Sequence, residues 1–359
     1  VRISVTGTRG KSGIVRMLTA ILREDGRAVI GKITGSEARY ILQSGEEVEV
    51  KRRGPPSILE QKKFLKLAAR SGAECVVCEI MSIHPENHDV ESRKIVRPGR
   101  VVISNVRRDH IHAMGETGDE FVDVYCLDIP DGAVVFIPEK ENRALFVDNV
   151  KGKNGILRQV EPGFSKPVLD AAPELKNRTF PGSLDLVCAV CGDLGIDQET
   201  IVRGLRRIGF SHQSLQIWKL KKDNRIHYLV NGFGANDPDS TKIVISKIRE
   251  ILPEESGNLI GLLTLRSDRG DRTLQWIETL KNGHKELFTK IFVTGGHAGI
   301  VRRKCRHIEV LREKRPERIT EALTRGLKKP CVVLGFGNMR GTGSLLRDHW
   351  NRTCEDAGI

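Results

Sequence analysis

Aromatic side chains are scarce, at 5% of 359 residues with three tryptophans and three tyrosines. So few rings, and no recognition motif, leave single-strand nucleic-acid binding without the stacking platform it needs. No apolar run approaches the ~18–20 residues of a membrane-spanning helix. Low-complexity and long polar tracts are missing too, which excludes a disordered chain. No signal peptide precedes the first apolar run, so the expected location is cytoplasmic. The sequence opens at Val1, almost inside a motif, which leaves room for an upstream segment, a membrane anchor included. Cysteine is too thin, at eight, for a disulfide scaffold. The two C-x-x-C pairs, Cys75 with Cys78 and Cys188 with Cys191, lie too far apart in sequence for the usual zinc pattern. Cys75 and Cys78 fall in an apolar run that reads as a buried strand, where they point to opposite faces. Cys188 and Cys191 fall in an apolar helical stretch, where free cysteine packs as a small hydrophobe.

Positive charge is in surplus. The formal net charge is +13, with a pI near 9.5, which favours polyanionic partners: nucleic acid, anionic lipid or an acidic polymer. The basic residues stand in small groups, Lys51-Arg52-Arg53, Arg206-Arg207 and Arg302-Arg303-Lys304, and their plainest reading is a solvated surface.

Short strand-like runs alternate with longer helical ones. VRISVTG reads as a strand; the next stretch places Ile14, Met17, Leu18, Ile21 and Leu22 on one helical face. ECVVCEI and RVVISNV follow as buried strands. This order predicts an α/β fold with a mainly parallel sheet covered on both faces. Residues from about 30 to 60 lack regular periodicity, and Gly54-Pro55-Pro56 marks a loop. A second set of strands, RIHYLVNGFG, NLIGLLTL, KIFVTGG and CVVLGFGN, begins near residue 216. Asp237 and Pro238 open a helix within it, with Val244, Ile248 and Ile251 on one face. Two domains are expected, 1–213 and 214–359, divided near Ser211 to Leu215.

The residues that carry chemistry sit at the ends of the early strands. VTGTRGKSG joins strand to helix through glycines followed by Lys11 and Ser12. Glycines let backbone N–H groups close on phosphate oxygens, and a helix N-terminus adds partial positive charge. Lys11 can reach β- and γ-phosphates, and the Ser12 hydroxyl can ligate Mg²⁺. Val5 stands where the general pattern has its first glycine. Glu79 ends an apolar strand, at the side where α/β sheets bind ligands, and can hold the cation bridging the phosphates. After RVVIS comes NVRRDHIH: Asp109-His110 can supply a metal ligand with its orienting carboxylate. His110-x-His112 could instead chelate a transition metal, as in a metallohydrolase.

These residues together resemble the Mur-ligase family, whose pattern folylpolyglutamate synthase shares: G-T-x-G-K-[ST], a strand-end Glu and N-V-x-x-D-H. Within it the chain is most similar to the branch holding the ligase subunit of poly-γ-glutamate synthase, which makes capsules. The matching stretches GTRGKS, GKITGSEAR, LEQKKFL, CEIMSIHPE, NVRRDHIHAMG, NGFGANDPDST, LRSDRGDRT and GFGNMRGTG spread over nearly the whole chain.

The resemblance implies a P-loop Mur-ligase-type central ATPase domain followed by a smaller Rossmann-like α/β domain. It implies a two-step amide synthesis in which ATP phosphorylates a carboxylate and an amine displaces phosphate. Gly7, Thr8, Arg9, Gly10, Lys11 and Ser12 would hold the phosphates; Lys11, Glu79 and His110 would be catalytic. Ser12 and Glu79 would ligate one Mg²⁺ and His110 a second. Asn231, Asn236 and Asp237 would meet the nucleotide from the second domain, and Arg266, Asp268, Arg269 and Asn338 would line the cleft. Glutamate and an acidic polymer are the implied substrates, and small membrane subunits of a synthase complex the implied partners. A folylpolyglutamate or Mur-type ligase with another acceptor, and a P-loop ATPase binding nucleic acid through its charge, are the alternatives. The chain also departs from the pattern. EFVDVYCLDIP lacks the metal-bridging lysine of the Mur enzymes, and Ser183 stands where an asparagine is expected. A Gly-x-x-Arg expected at the domain junction is not visible in SHQSLQIW, and the two expected domains do not include the substrate domain that precedes the phosphate loop in Mur enzymes.

Overall fold

The computed structural model describes residues 1–35, 37–52, 54–107, 109–115, 117–141, 143–209 and 215–358, apart from the side chains of 111, 112 and 282–286. The chain forms two compact units, Val1–Ser214 and Leu215–Ile359.

In the first unit, β1 (Arg2–Thr6), β2 (Val29–Ile33), β3 (Arg39–Ile41), β4 (Glu47–Glu49), β5 (Cys75–Glu79), β6 (Arg100–Ile103), β7 (Val134–Pro138) and β8 (Ile156–Val160) build one sheet of order β4-β3-β2-β5-β1-β6-β7-β8. The strands from β2 to β8 in that order are parallel. β2, β5, β1 and β6 are buried on both faces, which explains their continuous apolar composition, whereas the edge strand β8 is largely exposed. The first helix, α1 (Lys11–Glu24), buries Ile14, Met17, Leu18, Ile21 and Leu22, the face expected from the sequence.

Between residues 30 and 60 the structure is more regular than the periodicity indicated. β3 and β4 form an antiparallel pair at the sheet edge, turned at Gly45 with φ +89°. Strands of three residues are too short to show an alternation. What holds the pair is tertiary: the Arg16 guanidinium on α1 makes two hydrogen bonds to the Glu47 carboxylate at 2.7 and 3.0 Å.

In the second unit, β9 (Gln216–Lys222), β10 (Arg225–Gly232), β11 (Asn258–Leu265), β12 (Lys290–Gly295), β13 (Glu309–Val310), β14 (Cys331–Phe336) and β15 (Glu355–Asp356) form a sheet of order β13-β12-β11-β14-β10-β9-β15. β13 through β10 run parallel, and β9 and β15 add antiparallel pairings. Asp237 caps the helix Pro238–Ile251, accepting from the Ser240 N–H at 2.8 Å. All three tryptophans are spent on this core: Trp218, Trp276 and Trp350 are fully buried, Trp218 and Trp350 packed on each other, Trp350 on Phe233 and Trp276 on Phe336. None of the three is left on the surface to stack a base.

The cysteines are free. Burial pushes the Cys78 and Cys188 thiols up to about 12, which suits packing and not metal ligation. The junction residues 211–214 lie outside the described residues, and so does any Gly-x-x-Arg equivalent there.

One close contact fixes α1 against the helix Gln198–Arg206. A Cβ placed on Gly204 would lie 2.6 Å from the Ile21 Cα. Gly204→Ala should therefore destabilise the protein by about 1–3 kcal/mol, the usual cost of overpacking. Helix propensity alone would give a gain of about 1 kcal/mol. Urea denaturation of the two proteins separates the signs.

Candidate functional site

β1 ends in a loop that turns into α1, and two glycines permit the turn. Gly7 has φ +105° and Gly10 φ +86°. A Cβ on Gly7 would stand 2.5 Å from the Ser104 Oγ and 2.8 Å from the Asn105 carbonyl oxygen. The loop is sewn to the residues after β6: the Thr8 N–H donates to the Asn105 carbonyl at 2.9 Å. The Asn105 carboxamide accepts from the Arg9 N–H at 3.1 Å and donates to the Arg9 carbonyl at 2.9 Å. Thr8 Oγ1 accepts from the Arg107 N–H at 2.9 Å and lies 3.1 Å from the Tyr125 hydroxyl. Asn105, which sequence reading passed over, thus shapes the loop. Its signal was its place in the N-V-x-x-D-H run.

No side chain caps α1, and its first turn holds no acid, so its N-terminus keeps its positive character. Lys11 lies along the same loop. Its ammonium donates to the Gly7 carbonyl at 2.6 Å. Burial pushes this lysine down from its usual range, against the pull of Glu79, Asp109 and Asp128. A half-buried cation beside an uncapped helix start is a site that favours anionic charge.

Glu79 is buried at the end of β5. One of its carboxylate oxygens accepts from the Ser12 hydroxyl at 2.9 Å and from the Thr34 N–H at 3.0 Å. A hydroxyl and a carboxylate face to face form a hard-oxygen set. No group of three or more His, Cys, Asp or Glu able to hold a metal occurs among the described residues. The pair therefore suits Mg²⁺, which takes one or two protein oxygens and completes its shell with phosphate and water. Zinc would require more ligands than this.

Asp109 pairs with Arg9 at 2.8 Å and accepts from the His110 N–H at 3.0 Å. His110 has φ +50°, and its Nε2 lies 4.0 Å from the Asp109 carboxylate. The His112 side chain is outside the described residues, so the His110-x-His112 pair falls there too. Ser183 does stand over the loop: its Oγ is 3.1 Å from where a Cβ on Gly10 would be.

Several supporting residues were not legible in sequence. Glu91 is fully buried and accepts from the Met81 and Ser82 N–H groups, the Ser82 hydroxyl and Gln61. Gln61 in turn donates to the Glu79 carbonyl at 3.0 Å, so the strand end carrying Glu79 is held from behind. Asp128, in the segment read only for its missing lysine, accepts from Thr6 Oγ1 at 2.5 Å and lies 2.9 Å from His88 Nδ1. Burial opposes a charge on His88, but the Asp128 carboxylate outweighs it and raises the imidazole above its ordinary value.

In the second unit Arg272, also missed, joins two expected residues. Its Nη1 donates to Asn338 Oδ1 at 3.1 Å and, once the Asn236 carboxamide is turned so that its oxygen faces the guanidinium, to that oxygen at 3.1 Å as well. Asn338 is buried and bonded to Thr264 through its N–H at 2.9 Å and its carboxamide at 3.0 Å. Asn231 donates to Gln216 at 2.7 Å. Arg266 pairs with Asp268 at 2.8 Å and Arg269 with Asp271 at 2.9 Å, each a local ion pair beyond β11.

Comparison with known proteins agrees with this geometry. Residues 5–122 match the Mur ligase middle domain, and residues 217–353 match the poly-gamma-glutamate synthase CapB C-terminal domain. The PGA synthase CapB of Bacillus subtilis is 31% identical over 278 residues, 77% of this chain and 70% of that protein. The chain belongs to the CapB family of poly-gamma-glutamate synthases. The capsule biosynthesis protein CapB of Bacillus anthracis is 30% identical over 278 residues, and the chain spans 59% of its length. The fold is shared more widely. A bifunctional folylpolyglutamate synthase/dihydrofolate synthase from Yersinia pestis, complexed with AMPPNP and Mn, superposes with a TM-score of 0.74 at 14% identity, over 97% of this chain and 88% of that one. MurF from Acinetobacter baumannii does so at 0.67 and 15%, over 96% and 76%.

The His88–Asp128 pair makes stability depend on pH. An imidazole raised above its unfolded value of 6.5 adds stability that is full below that pH and lost as pH rises through the folded value. The stability gap between wild type and His88→Gln should thus be widest below pH 6.5 and shrink in more alkaline buffer. Denaturant midpoints across the pH range measure it.

Proposed function

We propose that this CapB-family chain is an ATP-dependent amide ligase that adds glutamate to a poly-γ-glutamate chain through an acyl phosphate. The observation that carries the reading is the Ser12–Glu79 oxygen pair, 2.9 Å apart, at the mouth of a loop whose lysine is half-buried. In the first step a carboxylate oxygen bonds to the γ-phosphorus as the bond to ADP breaks. In the second an amine nitrogen attacks the acyl carbon, phosphate leaves, and the nitrogen gives up a proton. Such phosphoryl transfer asks the protein for positioning and charge neutralisation above all.

The loop from Gly7 to Ser12 supplies backbone N–H groups to the β- and γ-phosphates, and Lys11 neutralises the charge that gathers there. A bound Mg²⁺ neutralises the transferring phosphoryl group; Ser12 and Glu79 would hold it, and His110 a second ion. Asn231, Asn236 and Asp237 meet the nucleotide in this reading, while Arg266, Asp268, Arg269 and Asn338 serve the cleft. Arg272 acts through Asn236 and Asn338 as a positioning residue. Among the described residues no helix is long and apolar enough to cross a membrane. Membrane association in this reading belongs to partner subunits or to a preceding segment.

The test is ADP release from Mg·ATP, with and without glutamate and oligo-γ-glutamate. Glutamate-stimulated turnover should fall about a hundredfold or more in Lys11→Ala, the scale of losing one stabilising donor at the transition state. Glu79→Gln should also fall and should need more Mg²⁺ for half-maximal rate. Turnover indifferent to glutamate and its oligomers would overturn the ligase reading.

A further inference from the structure

The second unit contains a cleft of about 1240 Å³ that none of the candidate site residues lines. It lies between the helix Ala298–Lys304, β13 with the segment after it, and the start of the helix Thr342–Thr353. Gly295 at the end of β12 forms part of its wall. It therefore opens at the carboxyl ends of the parallel strands, the side where open α/β sheets take ligands.

Its charge lining is lopsided in a particular way. Arg302, Arg312 and Lys314 line it, all three exposed. None of the three side chains makes an ion pair or a hydrogen bond to the protein among the described residues. Two acids, Glu309 and Glu313, line it as well. Glu309 is already paired with Lys290 at 2.9 Å, so it offsets little of the free positive charge. Glu313 is the one lining acid without a partner among the described residues, so three exposed cations face a single free carboxylate, an excess that favours an anion with several charges.

Size narrows the class. Pockets for single small ligands run to about 300–1,000 Å³, so one amino acid would leave most of this cleft empty. A flexible chain with a carboxylate on every residue would fill it and meet the three cations in turn. No aromatic ring lines the cleft, which withholds the stacking that a nucleic-acid strand would need.

We infer that this cleft holds the growing acidic polymer, a linear polycarboxylate of several γ-linked glutamates, by salt-sensitive contacts to Arg302, Arg312 and Lys314. The inference rests on the ligase reading for the identity of the polymer. The cleft gives the +13 charge a local use: it keeps the polymer on the enzyme between additions.

The experiment uses the full chain and labelled oligo-γ-glutamate, with binding followed by fluorescence anisotropy at low and physiological salt. The triple variant Arg302→Ala/Arg312→Ala/Lys314→Ala is compared with Lys62→Ala/Lys63→Ala/Lys66→Ala, which removes the same charge from an exposed stretch of the first unit. The cleft variant should bind the oligomer at least tenfold more weakly, with a shallower salt dependence, and the control should stay within about twofold of wild type. In steady state the cleft variant should raise KM for the oligomer and leave KM for ATP unchanged. Equal losses in both variants would show non-specific attraction and overturn the site; so would unchanged oligomer binding in the cleft variant. A wild type that prefers a single-stranded oligonucleotide of equal charge to oligo-γ-glutamate would overturn the choice of ligand. Glutamate-independent turnover of wild type, read in the same preparation, would mark failure of the ligase reading and is separate from the binding result.

Discussion

The Glu79 carboxylate holds the first unit's site together. It sits buried at the end of β5, and a single oxygen takes hydrogen bonds from the start of α1 and the end of β2. Three segments distant in sequence meet at that oxygen. Burying a carboxylate is costly unless donors surround it, so the strand ends must stay in register for the charge to be tolerated. Behind it a second buried acid, Glu91, repeats the device. It gathers N–H groups from Met81 and Ser82 and the amide of Gln61, and Gln61 returns to the Glu79 carbonyl. The acid at the mouth of the phosphate loop is thus fixed from both sides before any ligand arrives.

That rigidity explains why the loop can carry an unbalanced charge. Lys11 is held low by burial, and the helix it opens has neither cap nor acid in its first turn. A mobile loop would collapse onto water or a stray carboxylate. Four hydrogen bonds stitch Thr8 and Arg9 of this one to Asn105 and Arg107. Its backbone is fixed in advance, so little reordering would oppose the phosphate binding proposed for it.

Both units spend most of their limited aromatic content on their cores. The second unit keeps all three tryptophans buried, and the first buries Phe64, Phe121, Tyr125, Phe136 and Phe146. Basic residues therefore decide what the surface attracts. In the second unit they converge on a concavity, and a scatter of small basic groups along the sequence gave no sign of that convergence.

The sequence alone determined the strand-turn-helix around Lys11, the buried parallel strands, the capped helix after Asp237 and the family itself. Each of these is local: glycine placement, apolar periodicity and short motifs suffice, because the interactions responsible lie within a few residues of one another. Only the tertiary structure decided the rest. Asp128 under Thr6, Glu91 behind Glu79, Arg272 between Asn236 and Asn338, and the edge pair β3–β4 held by Arg16 all join residues far apart in the chain. A buried acid or arginine looks in sequence like any surface charge. What distinguishes it is the set of donors or acceptors that the fold brings to it, and no spacing rule records that set.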